Sequence, residues 1–225
     1  MKQMKVLYLL MALFTVYNNA FSKEHPRLKN KTYRYTVTFD NDSLRLHTSE
    51  LVTMTITGKP WQYDSSQKEL VIRYHYTQKD SIDCSSVPST GWGHTCVTGM
   101  KDEPDIIWMH PLRSNQYMIL ESAPFPEVKF PLTAQTHYVD TFDIRGGWDY
   151  LSNNDMIFDY RVAGKETING LSYWRIKATA IFQYTVPWAK KGCVNTADFL
   201  FNENEGFYSF EYHLFDKTHI LIREK

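Results

Sequence analysis

The chain has no excess of charge: 25 Lys and Arg residues balance 25 Asp and Glu. It therefore lacks the basic surplus that marks nucleic-acid binding, and nucleic acid is not an expected partner. It also lacks any run of the roughly 20 apolar residues that a membrane-spanning helix needs. There is no Gly-x-Ser-x-Gly elbow, no phosphate-binding loop and no dinucleotide fingerprint, so the usual serine hydrolase and nucleotide readings have no support. No stretch of about ten residues combines a helical period with helix caps. Internal repeats and low-complexity segments are missing too. Cysteine is scarce, with only Cys84, Cys96 and Cys193. No cofactor and no metal are expected.

The N-terminus gives an address. Met1 to Lys5 is short and basic. The uncharged apolar run from Val6 to Tyr17 follows, then the polar and small residues Asn18 to Ser22. This order is that of a secretory signal peptide over 1–22. Cleavage after Ala20 or Ser22 leaves a small residue at the last position. No cysteine lies near that site, which argues against a lipidated N-terminus. The expected product is an exported, periplasmic or secreted chain over 23–225, read as one β-rich domain. Its overall character is that of a Gram-negative bacterial protein. Asn30-Lys31-Thr32 and Asn41-Asp42-Ser43 would be glycosylation acceptors only in a eukaryotic host.

Aromatic residues are abundant, at 15% of the chain. Aromatic and β-branched side chains suit a pleated, half-buried surface, and the period is two nearly throughout. Tyr33, Tyr35, Val37 and Phe39 alternate with polar residues. So do Val52, Met54 and Ile56, and then Leu70, Ile72, Tyr74 and Tyr76. These predict strands near 31–40, 50–58 and 69–78, with turns at Gly58-Lys59-Pro60 and at Tyr63 to Ser66. The last third reads as a meander. Met156 to Val162 leads to an Asn169-Gly170 hairpin turn, and Trp174 to Tyr184 forms a long strand. Further strands are expected near 196–202, 206–215 and 218–223. The fold class is all-β: an antiparallel meander forming a sandwich or a partly open curved barrel.

The middle, 79–135, is irregular. Residues 79–104 read as a long loop. Pro104, Pro111, Pro124, Pro126 and Pro131 then restrict the chain to edge strand or extended crossover. Short strands fit at 105–110 and 116–122, and another at 138–144. In an oxidising compartment, Cys84 and Cys96 are expected to pair and staple the polar loop between them. Cys193 would be left over in a turn-like Lys190-Lys191-Gly192-Cys193, although other pairings stay open.

Candidate chemistry concentrates in the same region. Trp108, His110 and Arg113, with Trp92 and His94 from the preceding loop, could line a pocket. Trp offers a stacking face and Arg a fork for carboxylate or phosphate. A core Trp beside a polar strand end is the plainer interpretation. His94, Cys96 and His110 match no established zinc spacing. Glu121 with Glu127, or Asp140 with Asp143, are nominal acid pairs of the glycosidase kind, but a chain with so many carboxylates offers such pairs by chance. Cys193 as a nucleophile is formally open.

Val162 to Ile168, Gly170, Trp174 to Ala178 and Phe199 to Phe207 together resemble the meander of the lipoprotein-carrier superfamily and of similar secreted half-barrels. The resemblance covers about 60 residues. It implies a curved sheet with an apolar cavity for acyl chains or other hydrophobic ligands, and transfers no binding residue. The functional expectation is an exported, non-enzymatic binding protein taking a hydrophobic or glycan ligand or an envelope partner. The alternative is an immunity- or inhibitor-type protein that blocks a partner, and an exported hydrolase comes third. Mass spectrometry of the exported protein is expected to show a chain beginning at Phe21 or Lys23.

Overall fold

A computed structural model describes residues 28, 30–43, 45–75, 94–144, 154–186 and 189–225. The segment 1–22, expected to be a signal peptide, and Trp92 and Cys84 lie outside these residues. Among the described residues, twelve strands form one antiparallel sheet, strongly curled into a half-barrel. They are β1 (Thr32–Asn41), β2 (Leu46–Trp61), β3 (Asp64–His75), β4 (Thr95–Glu103), β5 (Ile106–Met109) and β6 (Glu127–Lys129), then β7 (His137–Ile144), β8 (Asn154–Ile168), β9 (Leu171–Val186), β10 (Ala189–Asn202), β11 (Gly206–His213) and β12 (His219–Glu224). No helix among the described residues is long and apolar enough to cross a membrane.

The spatial order is β6-β5-β4-β3-β2-β1-β12-β11-β10-β9-β8-β7. Each half is a meander, and the first and last strands of the chain join them: Val37 lies opposite Ile222. The two sheet edges, β6 and β7, are consecutive in sequence. Their side chains meet. Lys129 Nζ sits 2.6 Å from Asp140 Oδ2, and the Tyr138 hydroxyl donates to the Glu127 carbonyl at 3.0 Å. A seam of side chains thus covers edges that would otherwise present unpaired backbone groups.

The period-two faces point inward as the alternation predicts. Tyr35, Val37, Val52, Ile56, Leu70, Ile72, Met156, Tyr160, Ile176, Phe199 and Phe210 are all buried. Asn169 and Gly170 both adopt positive φ, 51° and 82°, the conformation that a tight hairpin requires.

Four local expectations are corrected. Gly58-Lys59-Pro60 does not end a strand: β2 runs through it with register shifts between Ile56, Pro60 and Trp61. Thr95–Glu103 is a strand rather than the end of a loop. Its inward residues are Cys96, Thr98 and Met100, while Val97 faces solvent, so the apolar signal was split between the faces. Cys193 is not in a turn. It is a buried residue of β10 opposite Phe182. Finally, Asn115–Ser122 is a 3-10 helix, not a strand. Tyr117 and Leu120 are three residues apart and both fully buried, as the three-residue turn of that helix demands. Asn115 at φ 58° breaks the extended chain before it.

This helix lies in the segment 110–126, which leaves β5 and crosses the concave face before β6. Leu112, Tyr117, Leu120, Ala123 and Phe125 are buried there. We term it the plug. Leu120→Ala, at a site with no solvent exposure, is expected to cost about 2–5 kcal/mol, measurable by urea unfolding.

Candidate functional site

Of the residues singled out from the sequence, the plug carries His110 and Arg113, and Trp108 lies just before it on β5. Trp108 and His110 do come together, edge to face at 4.8 Å, and Phe125 lies 5.7 Å from Trp108 and 5.3 Å from His110. Burial, and secondly the Arg113 cation, bring the His110 pKa down to about 3. Its imidazole is therefore neutral at ordinary pH. The gap beside it, bounded by Met54, Leu112, Phe210, Tyr212 and Ile222, has no room for a water molecule. These residues pack against the sheet and leave no pocket between them.

Arg113 serves as a fastener. Its Nε lies 2.9 Å from Glu121 Oε1, its Nη1 donates to Thr98 Oγ1 at 3.2 Å, and its backbone N–H donates to the Tyr74 hydroxyl at 3.1 Å. His94 attaches to the same tyrosine from the other end: the Tyr74 N–H donates to the His94 carbonyl at 2.9 Å. Cys96 is half-buried and not in a disulfide, and burial pushes its thiol pKa up. Cys84, its expected partner, lies outside the described residues.

The anchors that the sequence reading missed are polar residues at inward strand positions. Glu50 of β2 accepts from Gln116 at 2.8 Å and from the Tyr117 hydroxyl. Asn195 of β10 donates to the Ser122 carbonyl at 2.7 Å and to its Oγ at 2.9 Å. The Tyr160 hydroxyl of β8 donates to the Phe125 carbonyl at 2.9 Å. A signal for them existed. Glu50 continues the inward series Val52, Met54 and Ile56, and Asn195 sits between the inward Cys193 and Ala197. A polar side chain on a buried face needs a partner, and the plug supplies it. Five strands from both meanders, β2, β3, β4, β8 and β10, hold this one segment.

No family model matches the chain, and no curated protein sequence matches it. Two solved structures are similar to it. A proposed lipoprotein from Parabacteroides distasonis is 8% identical, with a TM-score of 0.47 over 90% of this chain and 98% of that one. A proposed exported protein with a YMCC-like fold from Bacteroides fragilis is 10% identical, with a TM-score of 0.38 over 89% and 98%. Likeness at this level carries no functional argument.

The seam is the second polar cluster. Lys129 contacts Asp140 and, at 3.4 Å, Glu127, and lies 4.7 Å from the centre of the Tyr138 ring. Burial, then the hydrogen bond and charge of Asp140, raise the Glu127 pKa to about 8, while Lys129 opposes the rise. The outer face carries a shallow groove of about 280 Å³, lined by Glu166, Arg175, Asp198, Tyr208, Glu211 and Arg223.

The Glu127 pKa lies above the ordinary carboxylate value of 4.5. The fold therefore retains a proton that the unfolded chain releases. The resulting stabilisation is complete below the ordinary value and is lost as pH rises to about 8. Glu127→Gln, neutral at every pH, should flatten the fall in melting temperature across this window. Parallel wild-type and variant profiles would contradict that assignment.

Proposed function

We propose that this is an exported, non-enzymatic binding protein that docks on a protein partner of the cell envelope through the outer face of its sheet. The observation carrying this reading is a stripe of exposed β-branched residues. Ile157, Ile181 and Val194 lie directly opposite one another on β8, β9 and β10, at 44%, 47% and 52% exposure. Val139 of the edge strand β7 is 52% exposed, and its cross-strand partner Asp159 is two residues from Ile157. Contiguous apolar surface on the solvent side of a sheet marks an interaction site. Among the described residues the concave face offers no comparable surface, because residues 110–126 occupy it. Export rests on the order of charge and hydropathy in the first 22 residues.

An immunity- or inhibitor-type protein would use the same stripe. The hydrolase reading draws no support from the plug, where the gap beside His110 has no room for a water molecule and Glu121 is engaged by Arg113. The polar groove favours a second reading, a small glycan ligand. Tyr208 offers a ring there, 5.3 Å from Tyr173, beside Arg175, which is 2.9 Å from Asp198.

Crosslinking in the native envelope tests the first reading. The triple variant Ile157→Thr, Ile181→Thr and Val194→Thr keeps strand-favouring side chains. It is expected to melt like the wild type and to lose the crosslinked partner. An unchanged crosslinking pattern would remove the stripe as the docking surface. Absence of any partner for the wild type would favour the groove.

A further inference from the structure

At one end of the outer face, Glu211 and His213 of β11 stand beside His219 of β12. His213 and His219 are cross-strand partners. Glu211 precedes His213 by two residues, so all three side chains share a face. Glu211 Oε1 lies 3.1 Å from His219 Nε2 and 3.6 Å from His213 Nε2. The ligand atoms all fall within 4.8 Å of one another, and the imidazole rings stack at 4.6 Å.

These separations suit a metal ion. Zinc bonds of about 2.0–2.1 Å in a tetrahedron place neighbouring ligand atoms about 3.4 Å apart, and the two carboxylate–imidazole distances bracket that edge. We propose that Glu211, His213 and His219 form a binding site for one divalent transition ion of the zinc type, with water completing its coordination. Two imidazoles and one carboxylate select such ions over calcium or magnesium, which prefer oxygen ligands.

The backbone holds the three residues in place. The connection from β11 to β12 is closed by Leu214 N–H to the Thr218 carbonyl and by Lys217 N–H to the Leu214 carbonyl, both at 2.9 Å. Asp216 Oδ1 accepts from the Thr218 N–H at 2.9 Å, and the Asn41 amide donates to Thr218 Oγ1 at 2.6 Å. Asn195 Oδ1 accepts from the Phe215 N–H at 2.7 Å. A turn gripped by β1 and β10 gives the ligands little to reorganise on binding. The side chains of Glu211, His213 and His219 are 41%, 63% and 36% exposed, so an ion can enter from solvent. The same row continues with potential ligands. Asp40 of β1 is opposite His219, and His47 of β2 is opposite Asp40, with their side chains 3.1 Å apart.

This proposal does not rest on the docking reading, since the stripe contains none of the three residues. Zinc chloride titrated calorimetrically into the purified chain tests it without any partner. The wild type should bind one ion per chain and melt at a higher temperature when loaded. The double variant His213→Ala and His219→Ala should weaken binding by at least about tenfold, a loss that even outer-shell changes can produce. Glu211→Gln should weaken it too, whereas His75→Ala should leave it unchanged. Circular dichroism establishes that each variant is folded. No saturable zinc binding by the wild type, or equal affinity in the folded double variant, would overturn the site.

Discussion

The structure depends on burial of residues 110–126 against the concave face of the sheet. A twelve-stranded sheet with one apolar face cannot leave that face to water. Here the covering comes from the chain itself, from the part richest in proline. Extended and 3-10 backbone suits this task because it needs no ladder partners within the barrel. Its polar groups instead find Glu50, Tyr74, Thr98, Tyr160 and Asn195, which belong to strands of both meanders. Removing one such partner leaves a buried group unsatisfied, at a cost of about 1–3 kcal/mol. The same contacts therefore fix where the segment sits and tie the two halves of the sheet together.

The filled concavity shifts the functional question to the outer face. The lipoprotein-carrier resemblance implied an apolar cavity, and the inward face is indeed apolar, but Leu112, Tyr117, Leu120 and Phe125 occupy it. What remains is spatially divided. The exposed Ile157, Ile181 and Val194 lie across β8 to β10, the ion-paired groove centres on Arg175 and Asp198, and the Glu211–His213–His219 triad lies at the β11–β12 turn. Glu211 lines the groove and belongs to the triad, so an ion bound there would place positive charge at the groove's end.

The strands were legible wherever one face was uniformly apolar. Tyr33 to Phe39 and Met156 to Val162 declared themselves by alternation, and Asn169-Gly170 marked its turn. β4 was not legible because its inward residues are Cys96, Thr98 and Met100. The 3-10 helix was masked for a different reason. Tyr117-Met118-Ile119-Leu120 is apolar in both periods, and only contact with the sheet selects the spacing of three.

The sequence by itself determined the class of this protein, an all-β chain, because period-two alternation is a local property. It also pointed to Trp108, His110 and Arg113 as unusual. Only the tertiary structure decided what they do. It made Arg113 a fastener of the plug, because Glu121 and Thr98 needed a partner, and it packed the Trp108 and His110 rings against Phe125. It likewise brought β6 beside β7, and His213 beside His219 with Glu211. Such meetings follow from the curl of the sheet and the register between strands, which no local stretch of sequence encodes.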